Sequence, residues 1–549
     1  IPLTDDATSK MLCEGKTGAV FQMESSGMTQ LVKDLAPQEF SDLIPTVALY
    51  RPGPLGSGMV EDFIAGRHGE KEVTYMHPLL EPILKETFGV VLYQEQVMQI
   101  VQVLAGFTLG QADLLRRAMG KKKAKILMDQ KQNFLDGCKK NGIEMGLANT
   151  IFDLLTHFAD YGFNKSHSAA YALVAWQTAY LKAHYPQEFM AAMLSSVMDT
   201  DKVTVYIEQC RRMGIPILPP DINASEASFT VDGPAIRFGL AAVRNVGENA
   251  LKGVIAERAE HGPFTSLVDF CSRIDAQTFS KRPIESLIRC GAFDSLGARR
   301  SQLLAVLDKA MGEAQRKQRD EASGQLGLFS ADVLDSAAEL ELPDIPEASR
   351  EEILAWEKEA TGFYITGHPL EKYKDIIDNL VSVRSMKEGG VRDKQVVRIA
   401  GLFTEVKRIT TKKGETMCFG TLEDFTDNIE AVIFPRVFYE HVNQCVVDEA
   451  VVLQGHVDVQ DDAVKLLVDN IWELADYQPE YYIKVPDNLD EEKKQALHEA
   501  FQTYHGDQIV FLQIGGRWKK TGTNYWLKSG GDVRAALASI LGEDAVHVR

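Results

Sequence analysis

The chain has few cysteines, and their arrangement argues against two classes of protein. It holds seven cysteines in 549 residues, an odd number, and no two of them form a Cys-x-x-Cys pair. The scatter predicts neither a disulfide framework nor a zinc or redox motif. We therefore expect reduced thiols in a cytoplasmic protein. The positions are Cys13, Cys138, Cys210, Cys271, Cys290, Cys418 and Cys445.

The sequence also lacks a long apolar run. No segment approaches the ~20 consecutive apolar residues that a bilayer core requires, so no membrane partner is expected. The opening Ile-Pro-Leu-Thr-Asp-Asp has neither an initiator methionine nor the basic and apolar parts of a signal sequence. We interpret Ile1 as an internal cut in a longer protein.

Positive charge is in deficit over the whole chain. Lys and Arg number 59 against 78 Asp and Glu, which gives a formal net charge of -19. Taken as a whole this argues against nucleic acid, because binding phosphate needs a positive surface. A length of 549 residues suggests about three or four domains, however. One basic groove can coexist with acidic domains, so local charge decides.

The apolar spacing changes along the chain. Helical spacing dominates the first two hundred residues, notably in 94–104 and 169–198, and Pro186 marks the start of a new helix. Residues 322–350 are polar and rich in Gly, Ser and Pro, which is typical of a linker. Short β-rich runs between 396 and 475 predict a small barrel. The last residues mix strands with a helix near 533–541, which predicts an α+β module.

Local positive charge is densest between Arg116 and Lys125, where a polyanion can be held by several charge-assisted contacts. The alternative is a solvated helix end. The segment 160–168 then leads into an alanine-rich helix, with Ser166 or Ser168 as the predicted cap. Exposed N–H groups at a helix start attract phosphate, and Lys165 and His167 add charge and a hydrogen bond there. A hydrolase triad is disfavoured because no nucleophile elbow is present.

Four motifs follow one another in the first part of the chain: Tyr50-Arg51-Pro52-Gly53-Pro54-Leu55, Tyr93-Gln94-Glu95-Gln96-Val97-Met98, the cluster 116–123 and the segment 161–172. In this order they resemble the fingers of the bacterial DNA polymerase III alpha subunit. The resemblance extends more weakly over essentially the whole chain. It implies that the fingers bind an incoming deoxynucleoside triphosphate and template against a palm domain. The residues implied near that site are Arg116, Arg117, Lys121, Asn164, Lys165, Ser166 and His167.

The carboxylates needed for nucleotide transfer are not evident. Two-metal chemistry needs carboxylates around two Mg²⁺ ions about 3.5–4 Å apart. The resemblance implies that these aspartates lie in an upstream palm. Asp5-Asp6 and Asp461-Asp462 are poor candidates, the first at the cut end and the second in a polar turn. We expect Mg²⁺ to serve the full enzyme, with its ligands outside this segment, and the isolated chain to be inactive.

Two glycine turns and the barrel are candidates for gripping DNA. Residues 239–251 and 289–297 resemble helix-hairpin-helix units, in which backbone N–H groups approach phosphate. The barrel resembles an oligonucleotide-binding fold, with Phe419 and Phe434 as either stacking or core residues. The predicted DNA contacts are Arg51, Lys122, Lys123, Arg244, Asn245, Gly247, Gly291, Lys407, Arg408, Lys412 and Lys413.

The linker holds a short apolar motif. Gln325, Leu326, Leu328 and Phe329 stand in an order that looks like the bacterial sliding-clamp peptide, although such a pair is often mere satellite packing. Two large apolar side chains that enter a pocket contribute roughly 3–6 kcal/mol, which suits an exchangeable tether.

These interpretations give a multidomain α+β chain. The predicted parts are largely helical fingers at 1–201, tandem helix-hairpin-helix units at 202–321, the clamp-peptide linker at 322–350, a connecting segment at 351–395, the oligonucleotide-binding barrel at 396–475 and a C-terminal module at 476–549. In the family that module meets the clamp loader's tau subunit, and the other partners are primer-template, single-stranded DNA and the palm. The rival interpretation is a non-catalytic DNA- and clamp-binding scaffold, which needs no triphosphate site.

Overall fold

The structure is a computed structural model that forms two compact units. It describes residues 1–120, 124–158, 162–198, 200, 202–275, 279–322, 341–387, 389–460, 463–486, 489–514, 516–528, 530–542 and 545–548. The first unit comprises Ile1–Ala348 with Trp356–Phe363, and the second comprises Ser349–Ala355 with Tyr364–Arg549. The helix Arg350–Thr361 belongs in part to each unit.

The first unit is mainly helical. Proline at a first helical position starts the helix Pro186–Ser196 directly after the helix that ends at His184, as the sequence predicted. Its helices are Asp6–Cys13, Ser26–Leu35, Ile44–Leu49, Pro52–Leu55, Met59–His68, Glu81–Leu84, Gln94–Ala105, Leu109–Gly120, Ala124–Lys140, Met145–Phe158, Lys165–His184, Pro186–Ser196, Lys202–Arg212, Glu248–His261, Leu267–Arg273, Lys281–Arg289 and Arg300–Ala322.

Two hydrophobic cores organise the helices before residue 180. One surrounds Trp176, which is fully buried and donates its indole N–H to the Pro2 carbonyl at 2.8 Å. The other surrounds Leu104, Phe134 and Leu155, all with no exposed surface. Large buried apolar side chains of this kind each contribute about 1.5–3 kcal/mol. The cores therefore hold the start of the helix Lys165–His184 at a defined place beside the helix Gln94–Ala105.

The rest of the first unit carries a small sheet and the two glycine turns. Strands β1 (Ile217–Leu218), β2 (Thr230–Asp232) and β3 (Ala235–Arg237) pair in the order β1-β3-β2. Arg300 is buried at the start of its helix, and it pairs with Asp294 at 2.7 Å and with the fully buried Glu357 at 3.0 Å. Since a buried charge is costly without a partner, this network fixes the second glycine turn in place.

The second unit contains a closed barrel, as the sequence predicted. Its strands are β4 (Val396–Thr410), β5 (Thr416–Glu423), β6 (Asn428–Ile433), β7 (Ala450–Gln460) and β8 (Ala463–Glu473). They pair in the order β4-β5-β6-β8-β7, and β7 returns to β4. Inward side chains such as Ile399, Ala431 and Leu466 fill the interior. Closure leaves the outward faces of the strands to decide what the barrel can bind.

A small α+β module ends the chain. Strands β9 (Tyr481–Lys484), β11 (Val510–Ile514), β12 (Arg517–Lys520) and β13 (Val546–Val548) form a sheet in the order β12-β11-β9-β13, and β10 (His505–Gln508) lies outside it. One face of this sheet and the helices Glu491–Thr503 and Gly531–Leu541 contribute residues to a common hydrophobic core. The helices of the second unit, apart from its share of Arg350–Thr361, are Lys374–Ile377, Val383–Lys387, Pro435–Glu440, Glu491–Thr503 and Gly531–Leu541.

The predicted fold class is confirmed. The chain combines a largely helical first part, glycine-turn units, a five-stranded barrel and a terminal α+β module. The seven cysteines form no disulfide, and all except Cys13 are buried. Throughout the described ranges, no helix is both long enough and apolar enough to cross a membrane.

Candidate nucleotide and nucleic-acid interface

Two residues of the helix Gln94–Ala105 bring three of the predicted nucleotide-binding residues together, namely Arg116, Asn164 and Lys165. The side chain of Gln94 accepts a hydrogen bond from the Arg116 guanidinium at 3.1 Å and donates one to the Gly162 carbonyl at 2.9 Å. Next to it, the Glu95 carboxylate receives the Lys165 backbone N–H at 3.0 Å and the Asn164 amide at 2.9 Å. The basic cluster and the start of the helix Lys165–His184 therefore meet at Gln94 and Glu95, to which sequence reasoning had given no role.

The cap of this helix differs from the prediction. Asn164 is the cap, and its side chain accepts the His167 backbone N–H at 2.9 Å. Ser168 is fully buried and Ser166 lies past the first helical position, so the expectation that either serine caps was wrong. Because Glu95 holds the amide of Lys165 and Asn164 holds that of His167, a phosphate reaches these donors only if the two side chains move.

The two arginines of the basic cluster share one carboxylate. Asp113 accepts from Arg116 at 2.7 Å and pairs with Arg117 at 2.7 Å, one helical turn away in each case. The hydrogen bond from Arg116 holds the pKa of the Asp113 carboxyl below its usual value. The Arg117 side chain is 66% exposed and Arg116 half as much, so Arg117 is the more available to an anion. Lys121, Lys122 and Lys123 lie outside the described residues.

Lys165 has a similar internal partner. Its ammonium lies 2.6 Å from the Glu86 carboxylate, and the two side chains are 38% and 49% exposed. An exposed pair of this kind is worth little, in the range of about 0–1 kcal/mol, so exchange of Glu86 for a phosphate costs little. Just before the helix start, Phe163 has the Arg51 guanidinium 4.3 Å from its ring centroid. Ser166 and His167 are exposed beside them.

The first glycine turn keeps an exposed tip. Gly247 caps the helix Glu248–His261, has room for a close approach and is exposed, as are Arg244 and Asn245. Asn245 adopts a left-handed φ of 69° and donates its amide to Ser286 at 3.1 Å. Before this turn stands the 3-10 turn Leu240–Ala242 instead of an α-helix. The structure thus has the hairpin and the following helix of the predicted unit.

The second glycine turn is more tightly packed than expected. Gly291 is buried with φ 86°, and its N–H donates to the Ile288 carbonyl at 3.0 Å. A side chain there would meet Arg300 and Asp294. Its amide is already bonded and the buried Arg300 network covers it, so Gly291 offers no exposed donor here, and the DNA contact predicted at this residue stays a prediction.

The barrel separates the four predicted cations. Lys407 lies opposite the half-buried Phe419 on the outward face of β4 and β5. Arg408 lies opposite the buried Cys418 on the other face, is also exposed, and has its guanidinium 5.5 Å from the Phe438 ring centroid. Lys412 and Lys413 are exposed in the β4–β5 turn, and Phe434 is 46% exposed. Neither Phe419 nor Phe434 belongs to the barrel core, so the core alternative is disfavoured and stacking on bases stays a prediction.

Two sets of predicted residues fall outside what the structure describes. The clamp-peptide residues Gln325, Leu326, Leu328 and Phe329 lie outside the described residues, as do Asp461 and Asp462. Within the described ranges, no group of three or more His, Cys, Asp or Glu side chains is arranged to hold a metal ion.

Models of known protein families match three regions of the chain. Residues 1–142 match the finger domain of the bacterial DNA polymerase III alpha subunit. Residues 214–303 match a helix-hairpin-helix motif, and residues 397–474 match an OB-fold nucleic acid binding domain. The last of these matches coincides with the closed barrel β4–β8.

Curated relatives match nearly the whole chain. DNA polymerase III subunit alpha of Pseudomonas aeruginosa is 46% identical over 94% of this chain and 48% of its own length. The subunit of the same name from Escherichia coli strain K12 is 41% identical over 98% of this chain and 49% of its own. That from Haemophilus influenzae is 39% identical over 100% and 49%. The chain thus spans about half the length of the curated relatives it matches.

Proposed function

Because the chain belongs to the family of bacterial DNA polymerase III alpha subunits, we propose that it binds the incoming deoxynucleoside triphosphate and grips DNA in 5'-to-3' template-directed synthesis. The family's polymerase activity belongs to the full-length subunit, of which this chain spans about half. We propose that the chain consists of the parts predicted from the sequence: fingers, helix-hairpin-helix region, linker, barrel and terminal module.

The convergence at Gln94 and Glu95 carries the triphosphate part of this proposal. Through Gln94 and Glu95, Arg116 is joined to the start of the helix Lys165–His184. Arg117 follows Arg116 in the sequence, and Arg51 lies over Phe163 just before the helix start. Each cation here pairs with a carboxylate or an aromatic ring across an exposed surface. A triphosphate offers a denser negative charge, and charge-assisted hydrogen bonds to phosphate are roughly twice as strong as neutral ones. We propose that the phosphates take the places of Glu86 and Asp113 at Lys165 and Arg117.

The described residues do not fit a Mg²⁺ site. In two-metal nucleotide transfer Mg²⁺ activates the attacking oxygen and stabilises the leaving one. No described cluster offers three ligands for such an ion. We propose that the catalytic aspartates and their Mg²⁺ lie in a palm outside this chain, which agrees with the half-length match to the relatives.

The remaining parts are proposed to hold DNA and partners. The exposed turn at Asn245 to Gly247 and the outward face around Lys407 suit phosphate contacts that do not depend on base sequence. Gln325 to Phe329 is proposed to bind the sliding clamp, and the terminal module the clamp loader's tau subunit. A non-catalytic scaffold is the less favoured alternative because residues 1–142 match a polymerase finger domain.

Primer extension over a nucleotide titration tests the triphosphate role. The enzyme to assay is a polymerase that contains these fingers together with its palm. If the cations bind triphosphate, they set the efficiency of nucleotide use, kcat/KM, and leave primer-template affinity almost unchanged.

The barrel gives a separate prediction on single-stranded DNA. Changing Lys407, Lys412 and Lys413 to Gln should weaken binding and flatten its salt dependence by about 0.7 in slope per lost phosphate contact. The measurement is fluorescence anisotropy with a labelled oligonucleotide across a salt titration. Arg408→Gln tests the opposite face separately, because its guanidinium lies 5.5 Å from the Phe438 ring centroid there, and a smaller change in slope places the DNA on the face of Lys407. An unchanged slope in the triple variant means that these lysines only face solvent.

A further inference from the structure

A cleft of about 660 Å³ opens in the first unit beside the start of the helix Lys165–His184. We call it the aromatic cleft, because much of its lining consists of rings. They are Phe21, Tyr50, Phe163, His167, Tyr171 and Tyr206. The volume lies within the range of about 300–1,000 Å³ that is usual for small-molecule sites. No role has yet been assigned to most of these side chains.

The rings on one wall form a continuous series. His167 stacks on Tyr171 with centroids 4.2 Å apart, since the two are one helical turn from each other. Phe163 meets the edge of His167 at 5.3 Å, and Phe21 contacts Tyr171 at 5.4 Å. The wall therefore presents a series of ring faces and edges, of which Tyr171 and Phe21 form one end.

The loop that forms another wall is held in an uncommon conformation. Ala19 and Gln22 both have φ 63°, in the left-handed region that residues with a side chain rarely adopt. The buried Lys182 ammonium fixes the loop by donating to the carbonyls of Lys16 at 2.8 Å and Gly18 at 2.6 Å. The Phe21 N–H donates to the Thr178 hydroxyl at 3.1 Å. Strain maintained by such contacts is typical of ligand sites.

The charges in the lining favour a base over a triphosphate. Among the described lining residues, Arg51 has the one permanent positive charge, and Glu24 opposes it while accepting the Tyr206 hydroxyl at 3.0 Å. Three phosphates need more positive charge than this. A nucleobase instead needs a flat apolar wall for its π face and a few polar groups, such as Gln22, for its edge.

A paired base cannot use this cleft, because both of its faces are stacked on neighbours within the duplex. On a primer-template, unpaired bases lie in the template overhang. We propose that the aromatic cleft holds an unpaired nucleobase of the template strand by stacking on Tyr171 and Phe21, an inference that rests on the proposed function.

The test compares two DNA probes with the 549-residue chain. One is a primer-template with a 5' overhang on the template, and the other is the blunt duplex of the same paired sequence. Tyr171→Ala should weaken binding to the overhang probe about 5- to 150-fold and leave blunt-duplex binding unchanged. Tyr171→Phe, which keeps the ring, should bind both probes like the unaltered chain. Fluorescence anisotropy measures all of these affinities.

Tyr180→Ala is the matched control. Tyr180 lies on the same helix, is half-buried like Tyr171 and contacts His184 at 4.3 Å, yet it does not line the cleft. It should bind both probes normally. Phe21→Leu provides a second variant at the mouth of the cleft, should Tyr171→Ala unfold on a thermal melt, and it should also lose overhang affinity.

The outcomes separate the inference from the proposed function. Equal loss on both probes, no loss on the overhang probe, or displacement of the overhang by a free deoxynucleoside triphosphate each overturns the inference. An unaltered chain that binds neither probe overturns the DNA-gripping role itself.

Discussion

Replacing Leu328 and Phe329 together by alanine is expected to reduce clamp affinity at least about 100-fold. Two large apolar side chains that enter a pocket contribute roughly 3–6 kcal/mol, and each 1.4 kcal/mol is tenfold in affinity. The proposed motif from Gln325 to Phe329 has few other apolar groups, so little remains to compensate. Surface plasmon resonance over immobilised clamp measures the change directly.

The same segment supplies the control for that experiment. Val333 and Leu334 are another apolar pair in the sequence of the linker, four to six residues further on. Their double alanine variant removes a similar apolar area outside the proposed motif, so it should bind the clamp normally. Unchanged affinity in the Leu328 and Phe329 variant, or equal loss in both, would falsify the assignment of the clamp peptide.

Within a polymerase that contains this chain, Lys165→Ala and Arg117→Ala should each lower kcat/KM for nucleotide about 10- to 150-fold. A hydrogen bond to a charged group contributes about 1.5–3 kcal/mol, and these two side chains are proposed to bind the triphosphate. Positive charge at a transferring phosphoryl group also stabilises the transition state, so kcat falls with kcat/KM. Steady-state primer extension over a nucleotide titration gives both constants.

Lys131→Ala is the matched control for these variants. Lys131 pairs with Asp153 at 2.7 Å, and its side chain is exposed to nearly the same extent as that of Lys165. It should leave nucleotide use unchanged. If Lys165→Ala instead weakens primer-template binding as much as nucleotide use, the ammonium serves DNA and not triphosphate.

Local patterns in the sequence predicted the elements of the fold. The helix break at Pro186 and the alternation in 396–475 each depend on neighbouring residues, so the sequence alone indicated both. The Asn164 cap was missed because serine and asparagine compete for the same position, and the choice between them depends on where the helix begins.

Local patterns could not predict the contacts that build the site. Gln94 reaches Gly162 across 68 residues, and Glu95 reaches Lys165 across 70, so no local spacing signals either contact. Their place in the motif Tyr93 to Met98 was the one available hint. The burial of Gly291 depends on the pairing of Arg300 with Glu357, which is 57 residues away.

The barrel cations show a different limit. Lys407 and Arg408 are adjacent and of the same charge, and the strand period places them on opposite faces. The register of β4 shifts between Phe403 and Glu405, so the alternation of inward and outward residues before this point does not continue after it. The pattern before the shift therefore does not tell which face of the strand Lys407 and Arg408 each occupy. Only the paired strand β5, with Phe419 outward and Cys418 inward, assigns the two faces.

The central claim is that this chain supplies nucleotide and DNA binding to a polymerase whose catalytic aspartates lie in a palm outside it. Primer extension with Mg²⁺ tests it most directly, by comparing the 549-residue chain with the same chain joined to its palm. The account predicts no extension by the chain alone and template-directed extension by the joined enzyme. Robust synthesis by the chain alone would contradict it.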